Sequence, residues 1–308
     1  MFPDPLVARG TVVAIVGPTA AGKSALSLAL AHRWGGEVVN ADSMQLYRGM
    51  DIGTAKLRPE EREGVPHHVL DLWDVTEPAS VVAYQEVARA AIDDILARGR
   101  VPLLVGGSGL YVRAVLERFD FPGTDPDLRA SLEAELAQVG PAALHARLAA
   151  RDPEAAAKIL PTNGRRIVRA LEVVLLTGSF MASLPEPTPY YPAIHLGVDR
   201  EPAELDARIA DRVDAMFADG LLDEVRALEA AGLRTGRTAS RALGYQQVLR
   251  HLDGSLTLTQ ARDETVQATR RFVRRPRTWF RRDPAVVWLD GGSPTLPDQA
   301  LAALASRV

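Results

Sequence analysis

Thr11-Val12-Val13-Ala14-Ile15-Val16, then Gly17-Pro18-Thr19-Ala20-Ala21-Gly22-Lys23-Ser24, then Ala25-Leu26-Ser27-Leu28-Ala29-Leu30 is the stretch on which the fold turns. Its middle segment has the phosphate-loop spacing G-x-x-x-x-G-K-[ST] and lies where that loop must lie, between a β-branched run and a helical one. The glycines let the backbone curl round a polyphosphate, the N–H groups of the loop and first helical turn face the anion, and Lys23 adds a full charge. Gly17, Pro18, Thr19, Ala20, Ala21, Gly22, Lys23 and Ser24 are therefore the candidate phosphate cradle. Ser24 is placed to hold a Mg²⁺ that bridges phosphate oxygens. A chance glycine turn before a helix is the bland alternative, and composition weighs against it. Lys23, Lys56 and Lys158 are the only lysines of a chain that otherwise uses arginine, so a lysine kept where a compact ammonium is needed is not background.

Outward from this loop, strand and helix alternate. Glu37 to Asn40 reads as a second strand, running into Ala41-Asp42-Ser43-Met44-Gln45. Val81 to Arg98 has helical periodicity, and Val101 to Val105 is a continuous apolar run stopped by Gly106-Gly107-Ser108-Gly109. The implied class is α/β, a doubly wound parallel sheet, whose ligand crevice lies at the carboxyl ends of the strands. The phosphate loop, Asp42 and Ser108 each follow a strand, so all three should face one crevice.

From Phe121 the pattern changes. Asp127 to Val139, Pro141 to Ala150, Pro153 to Ile159 and Arg165 to Leu176 read as helices with no strand between them, and a proline-rich return follows. His195 to Asp199 then resembles another sheet strand, which makes residues 121–189 an all-helical insertion in a core formed by 1–120 and 190–308. Pro202 to Ala231 reads as one long helical stretch, Leu258 to Arg275 as a basic helix, and Ala285 to Leu289 as a last strand.

Composition narrows the function. At 308 residues and 47% hydrophobic the chain can bury a sizeable core. No window has the apolar length of a membrane span, and Met1 to Gly10 lacks a basic region followed by a long apolar one, so a cytoplasmic protein is expected. The absence of cysteine excludes a disulfide, a zinc ribbon and a thiol nucleophile. The net charge of -3 means that any nucleic-acid surface is a local patch.

Three residues stand out chemically. Asp42 reads either as a cap before Met44 to Tyr47 or as a general base. Arg212 has no acid among its helical neighbours, which makes it a candidate for an external anion, whereas Arg208 has Glu204 and Asp211 at pairing distance along the helix. Ser108 is either a turn residue or a hydroxyl above the crevice. A nucleotide-hydrolysing protein would usually carry a metal-binding aspartate at the end of an apolar strand, but Val101 to Val105 ends in glycines, leaving only Asp71 and Asp199. Arg270, Arg271, Arg274, Arg275, Arg277, Arg281 and Arg282 are interleaved with Phe272, Trp279 and Phe280, a pattern suited to RNA phosphates and stacked bases.

Together these residues resemble the bacterial tRNA dimethylallyltransferases. The likeness runs through the phosphate loop, Asp42 to Lys56, Leu104 to Tyr111, Arg169 to Val173, Arg212 with Gly220-Leu221, Gly244-Tyr245-Gln246-Gln247, and Thr269-Arg270 to Phe280. Asp42 to Lys56 is its most specific part. The resemblance implies transfer of a dimethylallyl group from dimethylallyl diphosphate to N6 of the adenosine 3′ to the anticodon, with Mg²⁺ as cofactor. The loop would then hold a diphosphate leaving group, which accounts for the missing metal-binding aspartate. Asp42, Ser108 and Arg212 become the catalytic residues. Asp42, Ser43, Met44, Gln45, Arg129, Arg165, Arg166, Arg169, Arg241, Gly244, Tyr245, Gln246, Arg270 and Arg274 become the tRNA path, and the helical insertion grips the anticodon stem. The expected partners are tRNA and dimethylallyl diphosphate, with no membrane, and the expected state is a monomer. Two positions depart from the family pattern: Ser108 replaces a threonine and Pro276 a glutamine. The rival reading is a small-molecule or nucleoside kinase using ATP on the same loop.

Overall fold

The computed structural model describes residues 6, 9–118, 121–181, 188–274, 279–281 and 283–307. Arg275, Pro276, Arg277, Thr278 and Arg282 lie outside the described residues, as does most of the proline-rich return.

The chain divides into two compact units, one made of 1–117 with 189–308, the other of 118–188. In the first, six strands form one sheet: β1 (Val12–Val16), β2 (Glu37–Asn40), β3 (His67–His68), β4 (Pro102–Gly106), β5 (Ala193–Asp199) and β6 (Val286–Asp290). They run parallel in the order β3-β2-β4-β1-β5-β6. The helices of this unit are α1 (Lys23–Trp34), α2 (Val81–Ala97), α3 (Gly109–Leu116), α7 (Pro202–Ala218), α8 (Leu221–Ala230), α9 (Tyr245–Leu252), α10 (Leu258–Phe272) and α11 (Leu296–Ala305).

Central β1 is apolar at every position because both of its faces are covered. Val13 and Ile15 pack with Leu26 and Leu30 of α1, Leu205 and Ile209 of α7 and Leu296 of α11. Val12, Ala14 and Val16 pack on the other side with Tyr84, Ala88, Ile92 and Ile95 of α2 and Val112 and Val115 of α3. Such side chains each contribute about 1.5–3 kcal/mol on full burial. A third cluster joins Tyr47 and Met50 to Leu221, Val225, Tyr245 and Val248, which fastens the segment after β2 onto α8 and α9.

Two readings change. The expected single helix from Pro202 to Ala231 is broken at Gly220, whose φ of 103° is left-handed, giving α7 and α8. Strand β3 was not anticipated, since two residues show no period. It is held to β2 by the pairing of Val38 and Val39 with His67 and His68, and by a 2.6 Å contact of His68 Nε2 with Glu37.

The second unit is helical: α4 (Pro126–Arg151), α5 (Pro153–Ala157) and α6 (Gly164–Thr177). Gly140, at φ 78°, breaks α4 just before Pro141. Leu132, Leu144, Leu148, Ile167 and Leu171 form its core.

Candidate active site

The loop Gly17–Ser24 leaves β1 and enters α1 with no side chain capping the helix. Among the described residues, the N–H groups of Gly22, Lys23, Ser24 and Ala25 meet no acceptor. A row of unmet donors at the positive end of a helix is an anion site. Gly17 has φ 138°, and a Cβ there would run into Val198 O at the end of β5, so only glycine fits. Lys23 Nζ donates to Pro18 O at 2.7 Å. Burial holds its pKa down to about 8, with the Asp42 charge pulling it up and Arg212 pushing it further down. Arg212, half-buried on α7, donates from Nη1 to Thr19 Oγ1 at 2.9 Å. Its own pKa is lowered by burial and then by Arg208, and raised by Asp42. Lys23, Arg212 and Asp42 thus share one electrostatic field at the loop. The Ser24 hydroxyl is exposed and uncommitted among the described residues.

Asp42 follows β2. Its Oδ1 accepts Met44 N–H at 2.9 Å, and among the described residues no hydrogen bond reaches Oδ2. No helix forms over Met44 to Tyr47, so the bond to Met44 N–H closes a turn and the capping reading fails, while the open Oδ2 keeps the general-base reading. The Asp42 main chain is held by Asn40, whose Oδ1 accepts Asp42 N–H at 2.9 Å while its Nδ2 donates to Val69 O. After β4, Ser108 Oγ lies 3.4 Å from both Ser43 N and Ser43 Oγ, which brings the serine to the Asp42 segment. The glycines around it are close-approach residues. A Cβ on Gly106 would strike the Ala41 backbone, and one on Gly109 would strike the Trp279 ring. The convergence expected of the phosphate loop, Asp42 and Ser108 is what the parallel sheet produces.

The two spare aspartates are taken. Asp71 accepts from buried Lys56 Nζ at 2.6 Å, and Asp199 accepts from Arg200 N–H and Arg281. Arg208 corrects the helical-neighbour argument: its Nε donates to Ala20 O at 3.0 Å, while Glu204 pairs with Arg200. Arg200 itself, which nothing in the sequence singled out, donates to Ala21 O at 3.0 Å. Gly291, after β6, packs on Ala21 O and was missed as well.

The residues expected on the RNA path divide in two. Ser43, Met44 and Gln246 are half-buried, and Arg165, Arg166, Arg241 and Arg274 are exposed. Gln45 turns its amide to Thr54 O at 3.1 Å. Tyr245 and Gly244 need correction, because both are buried: the tyrosine hydroxyl donates to Glu224 Oε1 at 2.5 Å and the Gly244 N–H donates to Gln247. Arg129 and Arg169 both pair with fully buried Glu172, two cations on one carboxylate, and Arg270 donates to the main-chain Asp206 O, so each of the three has part of its guanidinium engaged within the protein. Phe280 is buried in the sheet core, whereas Phe272 and Trp279 are exposed.

The model of the family described as IPP transferase matches residues 45–283. A tRNA dimethylallyltransferase of Salinispora arenicola is 73% identical over 298 residues, 96% of this chain and 87% of the relative. The chain belongs to the tRNA dimethylallyltransferase family. Among solved members, the tRNA isopentenylpyrophosphate transferase of Bacillus halodurans is 42% identical, with a TM-score of 0.71 over 97% of this chain and 98% of that one. A eukaryotic dimethylallyltransferase acting on tRNA is 28% identical, with a TM-score of 0.82 over 96% and 78%. The family model begins just past Asp42, whereas the alignment with the Salinispora relative covers 96% of this tRNA dimethylallyltransferase family member and so takes in the phosphate loop.

Proposed function

We propose that the protein moves a dimethylallyl group from dimethylallyl diphosphate to the exocyclic N6 of the adenosine 3′ to a tRNA anticodon, releasing diphosphate. The observation that carries this is the pairing of an anion cradle with an open carboxylate oxygen. Unmet N–H groups, Lys23 and Arg212 surround the loop, and Asp42 Oδ2 stands in the same field.

The allylic C–O bond breaks with carbocation character while negative charge builds on diphosphate. The loop amides, Lys23 and Arg212 stabilise that charge, and loss of one such donor typically costs about 3 kcal/mol. Adenine N6 is a weak nucleophile because its lone pair is delocalised. Asp42 Oδ2 accepts an N6 hydrogen, orients the amine and takes its proton as the new C–N bond forms. Ser108, beside Ser43, supports the same segment. Oxygen donors suit Mg²⁺, and the open Ser24 hydroxyl with phosphate oxygens fits such an ion, which would neutralise diphosphate charge when bound. Arg165 and Arg241, exposed and without partners among the described residues, are the better phosphate-binding arginines. No described helix is long and apolar enough to cross a membrane; we read the protein as a cytoplasmic monomer. A kinase reading is not favoured, because Asp71 and Asp199 are both committed elsewhere.

The test is incubation with Mg²⁺, an unmodified anticodon stem-loop and either dimethylallyl diphosphate or ATP, followed by mass analysis of the nucleosides. A dimethylallyl mass on adenosine with the first donor alone is expected. Asp42→Ala should retain donor binding and lose at least about a hundredfold in transfer. ATP consumption with small acceptors and no RNA product would sink the reading.

A further inference from the structure

Arg200, Arg208 and Arg212 run from the end of β5 along α7 and meet three consecutive loop residues in reverse order. Arg200 Nε donates to Ala21 O at 3.0 Å, Arg208 Nε to Ala20 O at 3.0 Å, and Arg212 Nη1 to Thr19 Oγ1 at 2.9 Å. Of the three, Arg212 alone meets a side chain of the loop. The other two hold main-chain carbonyls, and that has a geometric consequence. A trans peptide sets its C=O and the following N–H in opposite directions. Drawing Ala20 O and Ala21 O outward therefore turns the N–H groups of Ala21 and Gly22 toward the concave side of the loop. Ala20 needs such holding, since its φ of 64° is left-handed backbone that a residue with a Cβ adopts rarely.

We propose that Arg208, with Arg200 beside it, is a positioning residue for the diphosphate. It fixes the peptide planes whose N–H groups receive the leaving group and does not itself touch substrate. The inference rests on the reading of the loop as a diphosphate site. Of the two, Arg208 is the cleaner probe, because Arg200 also pairs with Glu204 and donates to Gly291 O. Arg208 is exposed, so its replacement leaves no cavity.

Glutamine and methionine separate the pinning bond from the charge. Both are neutral and suit a helix, but Arg208→Gln places an amide nitrogen where Arg Nε stands, whereas Arg208→Met places a methyl group there. A hydrogen bond of ordinary net strength corresponds to about tenfold in affinity. Arg208→Met should therefore raise KM for dimethylallyl diphosphate about tenfold and weaken calorimetric binding of inorganic diphosphate with Mg²⁺ by the same factor. Arg208→Gln should recover to within about threefold of the unaltered protein, with KM for the stem-loop RNA unmoved in both. Equal losses in the two variants would mean that charge alone matters and would overturn the proposal. So would unchanged KM in both, or a fall in kcat alone, which is the mark of lost folded protein. If the unaltered protein binds no diphosphate, the loop's assignment itself fails, and that result is distinct from the others.

Discussion

Lys23 is the residue whose charge the fold leaves adjustable. Its ammonium rests on Pro18 O at 2.7 Å, and burial brings its pKa down to about 8 despite the opposing pull of Asp42. A lysine with a lowered pKa gives up its proton earlier as pH rises, and an arriving diphosphate favours the protonated form. Donor affinity should therefore be level below pH 8 and fall above it. Binding at pH 8.5–9 should also take protons from the buffer, up to about one per site as Lys23 returns toward the ordinary lysine range. Calorimetric titration with dimethylallyl diphosphate in two buffers of different ionisation enthalpy measures that uptake, and none at pH 9 would refute the assignment. Arg212 and Arg208 show how far single residues could be read. Both were judged by neighbours on their own helix, which singled out Arg212 because it had no acid nearby. The same rule misjudged Arg208, because Glu204 belongs to Arg200, which stands four residues before it but ahead of the first residue of α7.

Asp42 to Lys56 is the most distinctive stretch in the sequence, and much of it turns out to be self-bracing. Lys56, 7% exposed, donates to Asp51 Oδ1 at 2.5 Å, Asp71 Oδ1 at 2.6 Å and Tyr47 O at 3.0 Å. Glu224 of α8 accepts the N–H groups of Asp51, Ile52 and Gly53 and is itself held by Tyr245. Gly53 is needed because a Cβ there would meet the Tyr245 ring. Lys56→Met should thus strand Tyr47 O and two carboxylates. Since those carboxylates are about half exposed, the cost should be about 2–3 kcal/mol, below that of a fully buried pair, and lower Tm by roughly 5 °C. A thermal scan showing a shift under about 2 °C would contradict this bracing role. The strands β1, β2 and β4 and the loop between β1 and α1 were legible, because buried parallel strands are continuous apolar runs and the loop has fixed spacing. Glu224 was not, since its partners lie about 170 residues away and no local pattern announces a carboxylate that accepts three main-chain N–H groups.

At the scale of the whole chain, a net charge of -3 hides how the arginines are spent. Those of α7 serve the phosphate loop, and in the helical unit Arg129 and Arg169 serve Glu172, which is 0% exposed. Burial by itself would raise that carboxyl. The two guanidinium groups, the Thr124 hydroxyl and the Asp125 N–H outweigh it and hold the pKa at about 2. The basic face read from Arg165, Arg166 and Arg169 is therefore partly an internal ion cluster. The cluster also ties this unit's stability to pH in a definite direction. A carboxylate whose folded pKa is depressed contributes stability that is full above the unfolded value and is lost as pH falls through the folded one. For Glu172 that window runs from about 4.5 down to about 2, and the contribution is on the order of 3 kcal/mol. Glu172→Gln removes the charge but keeps the shape, leaving two arginines to face a neutral amide. The unaltered protein should exceed this variant in unfolding free energy by a constant amount from pH 7 to pH 5. That difference should narrow as pH falls below about 4.5, because protonation then makes the two side chains alike. Urea titrations of both proteins at a series of pH values give the difference directly. A gap that is absent at pH 7, or that widens on acidification, would show that the arginines are not held by this carboxylate.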